Sequence, residues 1–168
     1  APISVGVLLD TSLSMEHEKL MHAKEAVISF SKALRPGDEV LVMAFSSGID
    51  ALGDFGLDLR MIERATKRIR VASTTRLYDA VVEGARAISR PDRKEKRALL
   101  VLSDGSDNTS EATLQGAVEA VRRAGIDAAL HGKDLLPMGG DYSVAVVREG
   151  LRAFLERHHP AALAPAVP

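Results

Sequence analysis

The chain contains no cysteine, which excludes disulfides, thiolate metal sites and a cysteine nucleophile at once. It also lacks an excess of charge. Its 22 Lys and Arg stand against 23 Asp and Glu, a formal net charge of -1, so nothing electrostatic favours nucleic acid or an anionic membrane as a partner. Charges of both signs are interspersed, as on a solvated surface. No apolar stretch is long enough for a membrane span, and no charged leader precedes the opening "APISVGVLLD"; direct membrane insertion is therefore not expected. That opening leads us to expect either a cytoplasmic protein or a domain excised from a longer, extracytoplasmic or cell-surface one. There is no internal repeat. What is present, 168 residues of which 46% are hydrophobic, suffices for one domain with a substantial core. We expect it to occupy residues 1–158, with the Pro- and Ala-rich 159–168 as a tail or the start of a linker.

Periodicity sets the layout. "ISVGVLL", "VLVMAFSS" and "RALLVLSDG" are short apolar runs rich in branched residues, as expected of strands buried on both faces. "GIDAAL" is a fourth candidate. Between them, apolar residues recur at helical spacing: Leu20, Ala23, Val27, Phe30 and Leu34; then Leu59, Ile62, Ala65 and Ile69; then Leu77, Val81, Gly84 and Ile88; then Leu114, Val118 and Val121. Val144, Val147, Leu151 and Phe154 predict a closing helix, and "RPGDE" (Arg35 to Glu39) predicts a helix-to-strand turn. Strands alternating with helices argue for a doubly wound, mostly parallel α/β sheet with helices on both faces.

In such sheets ligands bind beyond the carboxyl ends of the strands. The first strand ends at Asp10, with Ser12 and Ser14 just behind it. The second ends at Ser46 and Ser47, and the third at Ser103, Asp104 and Gly105. A further loop places Ser73, Thr74 and Thr75 immediately before a helix, where the hydroxyls either cap it or join the same crevice. Two aspartates with several hydroxyls form a hard-cation shell suited to Mg2+, Mn2+ or Ca2+. The two carboxylates roughly cancel a divalent charge, and neutral hydroxyls leave the ion electrophilic. An open coordination position would then take water or a carboxylate from a partner.

Other readings are weaker. Asp10 as a helix cap, with Ser12 and Ser14 as turn residues, leaves the Thr75 and Asp104 loops as coincidence. Asp10 as a phosphoryl-transfer nucleophile, in a Mg-dependent phosphohydrolase, lacks a second nearby acid and a glycine-rich phosphate cradle. In "HEKLMH" the histidines His17 and His22 are five apart, whereas one helical face requires four. All five histidines read as surface or packing residues, Asp107 as a turn residue and Asp79 as helix packing or capping. No nucleophile–base pair is apparent, so an enzyme is not expected.

Together these segments resemble a known family. "DTSLSM" (Asp10 to Met15) has the DxSxS form of the metal-ion-dependent adhesion site of von Willebrand factor type A domains. "TTRLYDA" resembles that family's threonine loop, "LLVLSDGSDNTS" its second aspartate motif, and "LRPGDEVLVMAFSS" the passage between them. The likeness covers roughly Ile3 to Ile126, and bacterial members look closer than integrin ones. The resemblance implies a short antiparallel edge strand, expected near Asp50 to Gly56. It also implies a metal held by Asp10, Ser12, Ser14, Thr75 and Asp104, with Thr74 competing because Ser73 and Thr74 stand where relatives carry glycines. The function implied is a protein-binding module whose Mg2+, Mn2+ or Ca2+ accepts an Asp or Glu carboxylate from a protein partner. The alternative from the same family is an intracellular adaptor of a ring-shaped ATPase in metal or cofactor insertion. The resemblance does not specify an oligomeric state.

Overall fold

The computed structural model describes residues 1–15, 18–56, 58–103, 107–126 and 128–130. In chain order the elements are β1 (Ile3–Asp10), a 3-10 turn (Leu13–Met15), α1 (Glu18–Ala33), β2 (Glu39–Phe45), β3 (Ile49–Ala51), α2 (Leu59–Lys67), α3 (Leu77–Ile88), β4 (Lys96–Leu102), α4 (Leu114–Arg123) and β5 (Ala128–Leu130). The sheet has the order β3-β2-β1-β4-β5. β1 runs parallel to both β2 and β4, β5 is parallel to β4, and β3 pairs antiparallel with β2. Central β1 is buried at every residue, which is why it reads as an unbroken apolar run rather than an alternation.

Side chains alternate across the sheet with period two. Val5, Val7 and Leu9 join Ala23, Val27 and Phe30 of α1 and Ile62 of α2 in one core layer. Leu8 joins Leu77, Ala80 and Ile88 of α3 with Leu99 and Val101 of β4 in the other. Close approach of α3 to the sheet depends on Gly84. A Cβ there would stand 3.0 Å from both Leu8 Cδ2 and Leu99 Cδ1, so any larger residue would require the packing at this contact to give.

The "RPGDE" turn forms as predicted. Asp38 accepts from the backbone N–H of Arg35 at 2.8 Å and of Ile3 at 3.0 Å, while Gly37 takes φ +95°, a backbone state that favours glycine. Asp58 and Thr113 cap α2 and α4 by accepting from Met61 N and Gly116 N.

Three expectations need adjustment. The edge strand is Ile49–Ala51, so it starts before Asp50 and ends well short of Gly56; its three residues, two of them exposed, carry no apolar run to find. Helix α2 ends at Lys67, leaving Ile69 in the passage beyond it although still packed on the core. In α4 the apolar stripe is only partly covered: Leu114 is 60% and Val118 41% exposed, whereas Val121 packs against the core and Ala117 is buried. The predicted closing helix from Val144, the tail 159–168 and Asp104 lie outside the described residues.

Candidate metal centre

Asp10 is the last residue of β1 and is wholly buried. The register pairing Leu9 with Leu102 sets Ser103, the residue after β4, beside it. Ser103 Oγ donates to Asp10 Oδ2 at 2.5 Å, and Ser12 N donates to Oδ1 at 2.8 Å. The second contact is an Asx turn, which bends the chain out of the strand. It matches the capping-and-turn reading locally but leaves much of the carboxylate unused. An ionised carboxylate offers about four acceptor sites, and two are filled here among the described residues. Asp10 forms no ion pair with Lys, Arg or His among those residues. A buried charge without a counter-ion is costly, and the hydroxyls around it supply oxygen but no positive charge.

Ser12 is 2% exposed and its Oγ lies 3.0 Å from Ser14 Oγ, so the two hydroxyls of the first loop face each other. Backbone contacts bring in the threonine loop. Ala72 N donates to Thr11 O at 3.0 Å, Ser12 bridges to Ala72, and Arg76 N donates to Ser46 O at 3.0 Å. Thr75 is 4% exposed, Thr74 half-buried and Ser73 exposed. None of the three caps α3, whose N-cap position is Arg76 with no side-chain capping hydrogen bond. The Thr75 hydroxyl has no hydrogen-bond partner among the described residues. Its backbone is held instead: Thr75 N donates to Asn108 Oδ1 at 2.9 Å, and Thr75 O accepts from Asn108 N at 3.0 Å.

The free amides at the start of α3 are satisfied from the loop that follows β4. Tyr78 N donates to Asp107 Oδ1 at 3.1 Å and Asp79 N to Ser110 Oγ at 3.0 Å. In return the Asp79 carboxylate accepts from Glu111 N at 3.1 Å and Ala112 N at 2.9 Å, and pairs with Arg76 Nη2 at 2.7 Å. Burial pushes the Asp79 carboxyl up, but the amides of Ala112 and Glu111 and the Arg76 guanidinium outweigh it and hold it below the usual carboxylate range. Asp79 is thus a packing and capping residue, as predicted. Asp107 accepts from Ser110 within its own turn as well as from α3.

The structure therefore brings Asp10, Ser12, Ser14 and Thr75 to one crest, while Asp104 lies outside the described residues. Among the described residues no three His, Cys, Asp or Glu converge to hold a metal. A cation there would be held by hydroxyls and few carboxylates, which is the donor chemistry of a hard ion. Sequence reasoning did not single out Ser103, Asn108 or Ser110 as positioning residues. The available signal was the density of Ser, Asn and Thr in "SDGSDNTS", residues that bond backbone amides.

A buried, mostly parallel sheet between helix layers, with a polar crest at its strand ends, defines an α/β domain of the open, doubly wound class. The von Willebrand factor type A domain profile matches residues 5–106; the chain belongs to this family. It is 25% identical over 135 residues to inter-alpha-trypsin inhibitor heavy chain H3 of Rattus norvegicus, covering 73% of this chain but 15% of that protein. The chain therefore spans a small part of that relative's length. The von Willebrand factor type A structure from Catenulispora acidiphila superposes with a TM-score of 0.67 at 19% identity, covering 91% of this chain and 41% of that one. Proximal thread matrix protein 1 from the mussel byssus, solved with a zinc-occupied MIDAS motif, superposes with a TM-score of 0.65 at 18% identity, covering 77% and 37%. These structural likenesses bear on the fold. Domains of this family generally act as protein-interaction modules.

Proposed function

We propose that this domain binds a protein partner through a divalent cation, Mg2+ or Mn2+ in the first instance, held by Asp10, Ser12, Ser14 and Thr75 together with Asp104. The ion accepts an Asp or Glu carboxylate of the partner in its open position. The observation that carries this reading is Asp10: a wholly buried carboxylate with two hydrogen bonds and no cationic partner among the described residues. The Thr75 hydroxyl, which has no hydrogen-bond partner among the described residues and is not spent on capping α3, supports it because that oxygen remains available. A zinc-occupied motif in the mussel protein is consistent with a cation at the crest of this fold. Of the two threonines, Thr75 is the ligand because it is the buried one.

Calorimetric titration of Mg2+ and Mn2+ into EDTA-stripped protein tests this, with Asp10→Ala as control and the melting temperature followed alongside. Saturable binding is expected in the wild type, with about 2.7 kcal/mol of stabilisation at a hundredfold excess over Kd. Asp10→Ala should lose both effects while remaining folded. Equal binding in the two proteins, or none in the wild type, defeats the assignment.

A further inference from the structure

A second feature lies beside the crest. Between the end of β2, the edge strand β3 and the passage that follows α2 runs a cleft of about 480 Å³. It begins at Thr11, Ser46 and Ala72, the residues that join the first and threonine loops, and so opens next to Ser12. Its floor is apolar, formed by Leu52, Ala65, Ile69 and Val71, three of which pack against the core. Arg68 and Arg70 line its wall and are exposed.

These two arginines belong to a basic run along and just beyond α2. Residues 60–70, "RMIERATKRIR", carry Arg60, Arg64, Lys67, Arg68 and Arg70 against the single acid Glu63, in a protein of net charge -1. None of these five cations has an ion-pair partner among the described residues, whereas Arg35, Arg76, Arg86, Arg90, Arg93 and Arg123 all do. A bare cationic wall over an apolar floor is complementary to acidic and apolar side chains on one short segment. A nucleic-acid or sulfated-sugar chain fits less well. It would leave the apolar floor unused.

We propose that this cleft is the second contact of the same partner: it takes the acidic, apolar-containing segment that flanks the metal-bound carboxylate, with acidic side chains on Arg68 and Arg70. This rests on the cation-bridged reading above. The ion recognises one carboxylate and is indifferent to sequence; the cleft then selects which carboxylate-bearing segment binds.

The test uses two short acetylated peptides centred on one Asp, one flanked by Gly and Ser and the other by Glu and Leu. Their binding is followed by fluorescence anisotropy in Mg2+ or EDTA, on wild type, Asp10→Ala and the double variant Arg68→Gln/Arg70→Gln. The Glu/Leu peptide should bind the Mg2+-loaded wild type about tenfold tighter than the Gly/Ser peptide, the size of two exposed charge pairs with some apolar contact. The double variant should erase that difference while keeping its melting temperature and Mg2+ affinity. Equal affinity of the two peptides, or a preference that survives the double variant, overturns the cleft and leaves the metal reading standing. Absence of detectable Glu/Leu binding at millimolar peptide overturns it too, as does a heparin oligosaccharide that binds through the same arginines more tightly than the peptide. If Asp10→Ala and EDTA leave Glu/Leu binding unchanged while the double variant removes it, the cation-bridged reading is the part that fails.

Discussion

Two acidic clusters stand at the same edge of this sheet, and their wiring is opposite. Around Asp79 four donors converge: two backbone amides of the loop after β4 and two nitrogens of the Arg76 guanidinium. Around Asp10, which is more deeply buried, two donors are present and no cation. A saturated carboxylate is a structural staple. An unsaturated one, kept out of water beside hydroxyls with spare lone pairs, is a charge awaiting a counter-ion. Acidity at the crest is common to both and identifies neither; the number of donors already spent separates them.

The largest effect that could break this contrast belongs to Asp10→Asn, which keeps the side chain's shape and removes its charge. Mg2+ affinity measured by calorimetry should fall at least about a hundredfold. The metal-free protein should unfold at the same or a higher temperature, because a buried charge without a partner has been removed. Asp79→Ala should behave in the opposite way. Leaving the Glu111 and Ala112 amides unpaired is expected to cost about 1.5–3 kcal/mol in urea unfolding, with Mg2+ affinity of the folded protein changed only a few-fold. If Asp79→Ala abolished ion binding at unchanged stability, the roles of the two clusters would be reversed.

Smaller effects sharpen the picture. Thr75→Val should weaken Mg2+ about tenfold through loss of one neutral ligand, and Thr74→Val no more than about twofold. The reverse order in calorimetry would hand the ligand role to the more exposed threonine. The smallest effect is in acid. Because the folded Asp79 carboxyl is held below its usual range, its stabilisation is complete above the unfolded value of about 3.9 and is lost as pH falls through the lower folded value. The stability gap between wild type and Asp79→Asn should therefore be constant from neutral pH down to that region and close below it. Urea midpoints collected across the acid range will show whether it does.

Much of the fold was readable in advance because burial on both faces leaves a plain mark. β1, β2 and β4 are continuous apolar runs, and α1 and α3 carry stripes at helical spacing. β3 escaped periodicity because three residues paired on one side, two of them exposed, hold no pattern; only the family resemblance called for an edge strand there. In α4 periodicity found the helix, but the spacing of Leu114, Val118 and Val121 says that a stripe exists and not what it meets: Val121 packs on the core while Leu114 and Val118 stay exposed. Site legibility followed the same division. Asp10, Ser12, Ser14 and Thr75 were visible as oxygen-bearing residues at strand and loop ends. Ser103 was visible at a strand end too, but not as a donor to Asp10, and Asn108 and Ser110 were not visible at all, because the work of all three is to bond backbone and carboxylates more than twenty residues away.

By itself the sequence determined which residue types the strand ends carry, the alternation of strands and helices, and the balance of charge, because these are properties of order and composition. Tertiary structure decided how those residues differ in state. Register set Ser103 against Asp10, the loop after β4 consumed the acceptors of Asp79 and Asp107, and the close seat of α3 on Gly84 carried Thr75 to the crest with its hydroxyl uncommitted. Whether a buried oxygen is spent or available depends on partners distant in sequence, and only folding brings them together.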